Sequence, residues 1–443
     1  MQASRILATA FIIATAATAV SFHLASPARA EPDLQSMIDR AKPGETIVVP
    51  SDLYEGPIVI TKSLTIKPEG DVRIAAKGEQ PALLIHASQV EVSGLTIIDP
   101  RNNPEQVVVL LKGFNNKLRN LKISTRGIGL KLEGASGSIL EDIRIEGTAD
   151  PQAGDTSFMN QGNGIDLFDS HDNVIRGAFL LGVQDGIYLE KSHRNEIADS
   201  RVENSRYAIH VMYAEDTDIR RNESVRNVTG AMVMEADRTE INGNRFIKSS
   251  DNVHSQGILL YEAANSVVTG NRIEGNRVGL YVEQSASNDI SDNQLLHNFV
   301  GAQLSSSENN RLFRNDFISN VIQVQAEDSH NNQLRENFWD DHQGIDFSGS
   351  GRSDLPYKAD PFFLTVTNAI PSLQILFNAP GMFVLESMFQ NDTGNWMTDE
   401  SPLMRPVHPP PSSDESQPSA LWVSCILFLA GAVPFFRKGV KRI

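Results

Sequence analysis

A 22-residue repeat restricts this chain more than any other feature. The segments Gly164-Ile-Asp-Leu-Phe, Gly186-Ile-Tyr-Leu-Glu, Ala208-Ile-His-Val-Met and Gly230-Ala-Met-Val-Met follow one another at 22, 22 and 22 residues. After an interval of 27 comes Gly257-Ile-Leu-Leu-Tyr, then Gly279-Leu-Tyr-Val-Glu and Gly301-Ala-Gln-Leu-Ser at 22 and 22. A second series, which includes Asn173-Val-Ile, Asn195-Glu-Ile, Thr217-Asp-Ile, Thr239-Glu-Ile, Asn288-Asp-Ile, Asn310-Arg-Leu and Asn332-Gln-Leu, keeps the same period where it is unbroken. Short alternating runs with Asn, Gly and Asp between them describe the coils of a right-handed parallel β-helix, an all-β fold. Helical repeats need a 3.6-residue period, and leucine-rich repeats need their Leu/Asn consensus; the chain has neither.

Each coil advances by one strand spacing, about 4.8 Å, so equivalent residues stack into columns. Inward columns are Ile, Leu and Val. Asn and Gly suit left-handed backbone at the corners, and stacked Asn side chains can hydrogen-bond along the axis. Roughly 13 coils from Thr46 to about Gly344 predict a rod on the order of 60 Å. Its open ends need cover. At the N-terminus Asp33 is placed to cap a short amphipathic helix with Leu34, Met37, Ile38 and Ala41 on one face, and Pro43-Gly44 leads into a strand at Thr46–Val49. At the C-terminus residues 359–405 are expected to cap the rod or dock a partner. Phe362, Phe363, Leu376, Phe377, Met382, Phe383 and Phe389 are the candidate anchors. The interval of 37 from Gly127 to Gly164 places a loop near 149–163, and the 27-residue interval adds five residues near 249–256.

Within each pentapeptide the second and fourth residues point in, so the third and fifth point out. The third-position column reads Asp166, Tyr188, His210, Met232, Leu259, Tyr281, Gln303, and the fifth Phe168, Glu190, Met212, Met234, Tyr261, Glu283, Ser305. An aromatic and sulfur-rich outward face is either covered or used. His210, Met212, Met232 and Met234 span roughly 5 by 7 Å at the backbone. Thioethers with an imidazole are soft donors suited to Cu(I), and His254 in the five-residue excursion is a further candidate. The bland alternative is methionine covering an apolar strip. A different chemistry draws Asp166, Tyr188 and His210 as an acid/base set on a polysaccharide, with Tyr188, Tyr261 and Tyr281 as stacking platforms. Lyase or epimerase chemistry at a uronate needs positive charge or Ca²⁺ against the developing carbanion, and neither column contains Arg or Lys.

Charge bears on the same choice. The chain holds 39 basic and 55 acidic residues. With Arg5 and Arg29 at one end and Arg437, Lys438, Lys441 and Arg442 at the other, residues 31–420 carry 33 against 55, net −22. A body so acidic excludes general nucleic-acid binding and is a poor host for an acidic polymer. The single cysteine, Cys425, excludes disulfides, zinc ribbons and a thiol nucleophile in the body.

Both ends read as addresses. Residues 1–30 form a secretory signal, with Arg5, an apolar stretch Leu7–Val20 and the cleavage site Ala28-Arg29-Ala30. After a Pro/Ser-rich linker at 406–419, Ala420–Phe436 is an uncharged apolar run, expected to be a transmembrane helix, and 437–443 is a basic cytoplasmic tail. The expected topology is a β-helix (31–358) outside the membrane, anchored by its C-terminal helix.

The segment from Glu336 to Tyr357, with Asn337-Phe338-Trp339, Asp341, Asp346, Asp354 and Pro356-Tyr357, resembles the closing segment of the nitrous oxide reductase maturation protein NosD family. Ile370-Pro371-Ser372-Leu373, Ser401-Pro402-Leu403-Met404 and the opening Ala41-Lys42-Pro43-Gly44 are also similar to that family, so the resemblance covers about residues 34–406. It implies an exported, non-enzymatic accessory protein acting with an ABC transporter in assembly of the copper–sulfide centre of nitrous oxide reductase. Copper is the implied ligand; apo-nitrous oxide reductase and a copper chaperone are implied partners. The family's acidic turn is here Asp346-Phe347-Ser348-Gly349-Ser350-Gly351, with two carboxylates replaced by hydroxyls. That composition favours a Gly-rich closing turn over a Ca²⁺ site.

Overall fold

The computed structural model describes residues 33–148, 158–247, 255–359 and 397–409. Three parallel sheets wrap one core, and successive strands of the chain pass from sheet A to B to C and back. Sheet B has 13 strands and sheet C 12; sheet A has 15, the last two contributed by residues near 357–358 and 398–399. This is a parallel β-helix of about 13 coils. Register follows the repeat: Ile187 pairs with Ile209, Ile209 with Ala231 and Ala231 with Ile258. The inward Ile, Leu and Val are almost wholly buried and form one continuous cluster along the rod. Each such side chain is worth roughly 1.5–3 kcal/mol on burial.

Buried asparagines bind the coils along the axis. Asn222, Asn244, Asn271, Asn293, Asn315 and Asn337 form one ladder, in which each Oδ1 accepts from the backbone N–H one coil earlier, that of Ser200 for Asn222 and of the preceding asparagine for the rest, at 2.8 to 3.0 Å. Each Nδ2 donates to a carbonyl oxygen one coil back, as Asn293 does to Val268 at 2.8 Å. These asparagines are not the left-handed residues. Positive φ falls on the residue before each one, such as Arg221 (φ 54) before Asn222 and Arg314 (φ 57) before Asn315. The residue that turns the chain and the residue that ties it are neighbours. The repeated glycine has a steric role instead: a Cβ on Gly186 would sit 2.5 Å from the Ala208 carbonyl oxygen and from a Val202 methyl.

Both ends of the rod are dressed. The helix Leu34–Arg40 buries Leu34 and Ile38 against the core. Asp33 precedes it but makes no side-chain cap bond to the helix backbone, so its expected role is corrected: its carbonyl oxygen accepts from the Met37 N–H, and its carboxylate accepts only from the Ser36 hydroxyl, at 3.4 Å. Gln35 does the sealing. Its amide accepts from Val59 N at 2.7 Å and donates to Val59 O at 3.1 Å, standing in for a neighbouring strand. The first strand runs Thr46–Pro50.

At the other end residues 397–409 fold back over sheets A and B. Asp399 terminates the asparagine ladder, taking Asn337 N at 2.9 Å, Asn337 Nδ2 at 3.2 Å, Glu336 N at 3.1 Å and Trp339 Nε1 at 3.2 Å. A carboxylate suits this place because it is acceptor-only and each oxygen takes several donors. Trp339 is stacked between Phe317 and Tyr357, at 4.3 and 4.2 Å. Leu403 bridges to Phe338 and Arg352, so the two C-terminal stretches noted in the sequence meet in space. Asp346 closes its own turn, accepting from Ser350 N at 3.1 Å and Gly351 N at 2.8 Å, and Asp354 accepts from Phe347 N at 2.7 Å. Asp340, next to the expected Asp341, ties the end cap to Gln323 and to Ser319 N, both at 2.6 Å.

Among the described residues no helix is long and apolar enough to cross a membrane. The signal at 1–30, the run 420–436 and the seven apolar docking candidates from Phe362 to Phe389 lie outside the described residues.

Candidate functional site

The outward face of sheet C is built by strands Ile165–Phe168, Asp185–Glu190, Tyr207–Met212, Thr229–Met234, Gln256–Tyr261, Val278–Glu283 and Val300–Ser305. Parallel in-register pairing sets its columns. Asp166 lies beside Tyr188, Tyr188 beside His210, His210 beside Met232 and Met232 beside Leu259. Glu190, Met212, Met234 and Tyr261 form the neighbouring column. The four expected soft donors therefore occupy two adjacent coils, as the period predicts. The fifth, His254, lies outside the described residues.

His210 is the centre of this face and is only 6% exposed, although it points away from the core. Its ring lies 4.9 Å from that of Tyr188 and 4.9 Å from that of Tyr207. Nδ1 sits 3.0 Å from Asp185 Oδ2. Nε2 is buried and has no hydrogen-bond partner among the described residues. Met212 is linked to the same group, for the Tyr188 hydroxyl lies 3.5 Å from its sulfur and 3.0 Å from Glu190 Oε2. Burial, reinforced by the Glu190 bond, drives the Tyr188 hydroxyl well above the ordinary phenol range and keeps it protonated.

Asp185 was not among the residues singled out from the sequence, and neither were Arg206, Tyr207 and Lys131. Arg206 grips Asp185 with two bonds, Nε to Oδ1 at 2.8 Å and Nη2 to Oδ2 at 2.7 Å. Burial works to raise the Asp185 carboxyl, but the Arg206 and His210 bonds outweigh it and hold the group below the usual carboxylate range. Lys131 pairs in register with Asp166 from the coil before the long excursion. Burial raises the Asp166 carboxyl, with Lys131 and Asn163 opposing. The expectation of a face without cations holds for the two columns read from the pentapeptides and fails for the face as a whole. Lys131 continues the third-position column one coil upstream of Asp166, and Arg206 lies two residues ahead of Ala208, outside the pentapeptide frame. The residue preceding each glycine forms a third outward column of Asp185, Tyr207, Thr229, Gln256 and Val278, and a frame starting at the glycine misses it.

Beyond the methionines the face changes character. Val278, Val300 and Ile322 form an outward apolar cluster covered by Tyr281 and Phe299, and the Arg277 guanidinium lies 3.7 Å from the Phe299 ring centroid. There the apolar residues cover one another, as the bland reading requires. Around His210 they leave a buried ring nitrogen without a partner among the described residues.

The other stacked histidines differ. His171 and His193 lie ring on ring at 5.1 Å, and each Nδ1 accepts a backbone N–H one coil on, from His193 and Glu215, at 3.1 Å. They belong to the corner ladder. No group of three or more His, Cys, Asp or Glu fit to hold a metal occurs among the described residues, so a metal on this face needs the thioethers.

Residues 151–348 match the family described as "Periplasmic copper-binding protein (NosD)", which shows the resemblance read from the sequence. No curated protein matches the chain. Among solved structures it is similar to the periplasmic alginate epimerase AlgG, with TM-score 0.51 and 13% identity over 69% of this chain and 82% of that one. It is similar also to the alginate lyase AlyF-OU02, with TM-score 0.51 and 12% identity over 68% and 81%. Pre-mature bacteriophage phi29 gene product 12 matches with TM-score 0.53 and 9% identity over 66% and 48%. At these identities the likeness is one of fold.

Proposed function

With residues 151–348 matching the NosD family, we propose that this chain is an exported, non-enzymatic accessory protein that holds copper as cargo during maturation of nitrous oxide reductase. The observation that carries the copper reading is the buried Nε2 of His210, which has no hydrogen-bond partner among the described residues and belongs to a ring in register with Met232, one strand position pair from Met212 and Met234. An imidazole nitrogen with thioethers in a water-poor setting is a donor set for Cu(I). The rigid rod keeps these side chains at fixed spacing, which suits a platform on which an ion is received and passed on.

The rest of the reading follows the family and the chain's ends. The body acts outside the cytoplasmic membrane, delivered by the signal at 1–30 and retained by the apolar run at 420–436. Tethering raises its effective concentration near a membrane complex. An ABC transporter, apo-nitrous oxide reductase and a copper chaperone are the proposed partners, with Phe362, Phe363, Leu376, Phe377, Met382, Phe383 and Phe389 as the proposed docking residues.

A second reading has one observation in its favour. Asp166, Tyr188 and His210 stand in register with Lys131 and Arg206 beside them, the makings of a sugar-acid site on a β-helix. Against it, Arg206 is already neutralised by Asp185. One experiment separates the two: activity and copper–sulfide content of nitrous oxide reductase in a strain lacking this gene, with and without the restored protein. Loss of the centre only in the deletion strain supports maturation. A fully assembled enzyme there contradicts it and moves the glycan reading forward.

A further inference from the structure

The imidazole proposed to hold copper is itself held. Asp185 is 1% exposed, and its two oxygens are shared between the fork of Arg206 and Nδ1 of His210. Arg206 is fixed in turn, its guanidinium 4.5 Å from the Tyr207 ring centroid. A carboxylate gripped by a guanidinium is ionised and acts only as an acceptor, so the bond at 3.0 Å requires the proton to sit on Nδ1. In the neutral ring the lone pair is then on Nε2, the atom that is buried without a partner among the described residues. Tyr188 and Tyr207 flank the ring and fix its plane.

The same chain contains the opposite arrangement. In His171 and His193 it is Nδ1 that accepts, from backbone N–H groups, so the neutral rings carry their proton on Nε2. What faces Nδ1 decides the tautomer: a carboxylate in one case, peptide N–H groups in the other.

Resting on the copper reading of this face, we propose that Asp185, clamped by Arg206, is a positioning residue that sets His210 as the Nδ1–H tautomer and presents Nε2 as the nitrogen donor to a soft metal. An acidic partner on the distal nitrogen fixes a ligand histidine's orientation and raises its basicity. Asp185 touches no cargo itself. It acts through the ring.

The test uses the full chain labelled with ¹⁵N-histidine, with His210 assigned by comparison with His210→Gln. Long-range ¹H–¹⁵N spectra report which ring nitrogen is protonated. The expected result is a protonated Nδ1 and bare Nε2 for His210, with the reverse for His171 and His193 as internal controls. Anaerobic Cu(I) competition titration then compares the protein with Asp185→Asn, whose affinity should fall about 10–100-fold, and with Asp185→Glu, which should recover part of it. Arg206→Lys, which keeps the carboxylate, serves if Asp185→Asn does not fold. An Nε2–H tautomer at His210, or unchanged affinity in the substituted protein, overturns the positioning role and leaves copper binding intact. A protein with the expected tautomer that binds no Cu(I) overturns the copper reading, and the donor role with it.

Discussion

The outward faces of sheets A and B and that of sheet C are built on one register, yet they handle their side chains in opposite ways. On sheet A, Glu196 receives Arg176 from its own coil's predecessor at 2.8 Å and Arg220 from the next coil at 2.5 Å. On sheet B, Arg201 lies between Glu203 and Glu223, and Arg245 adds to Glu223 at 2.9 Å. The corners repeat the device with Arg194 on Asp172, Arg221 on Asp199 and Arg238 on Asp216, each one coil apart at 2.7 to 2.8 Å. Here stacking in register turns a charged surface into ladders of matched pairs. Sheet C gives the same positions to tyrosine, histidine and methionine, and the buried His210 Nε2 there has no partner among the described residues. Solubility and stability explain the first pattern and not the second, so sheet C is where function should be sought.

If the ladders hold the rod and the sheet C face does not, substitutions should rank accordingly. The largest loss is expected inside the corner. Asn293→Ala removes bonds to Val268 O and Asn315 Oδ1 and the acceptor used by both nitrogens of Asn271. Several buried groups are left unmatched, and urea unfolding should show roughly 3–5 kcal/mol of destabilisation. Glu196→Ala, which strands two arginines on the surface of sheet A, should cost about 1 kcal/mol, and less at high salt. Met212→Leu with Met234→Leu keeps volume and apolar character, so the melting transition should move by less than about 1 kcal/mol. A collapse of stability in that double variant would make the sheet C methionines structural and erase the contrast.

The smallest effect concerns the end cap. Burial, then the charge of Asp340, pushes the Asp341 carboxyl up to about 6. A carboxyl raised in the folded state contributes stability that is full below its unfolded value near 3.9 and lost as the pH rises through the folded value. Asp341→Asn should therefore stabilise the protein at pH 8 and give no gain at pH 4. Its side chain keeps contact with water, so the gain should be only about a few tenths of a kcal/mol in paired melts.

What the sequence made legible follows from what a period can carry. Strict spacing of 22 gives strand register, and register places His210 beside Met232 and Met212 beside Met234 without any coordinates. It also makes the asparagine ladders foreseeable, because identical side chains one coil apart must meet. The left-handed positions were assigned one residue late, since the turning residue and the tying residue alternate and only the asparagine is recognisable by type. Asp185 and Arg206 escaped because they sit outside the pentapeptide frame. Nothing in composition pairs an arginine with an acid 21 residues earlier. The meeting of Trp339 with Asp399 was equally invisible, for that contact spans 60 residues of which the period says nothing.

The measurement that bears most directly on the central claim is an anaerobic Cu(I) competition titration of the full chain against Met212→Leu with Met234→Leu. The account predicts stoichiometric binding by the unsubstituted protein and at least about tenfold weaker binding by the double variant, with the two melting alike. Equal binding by both proteins would contradict it and remove the thioether face of sheet C from any copper site.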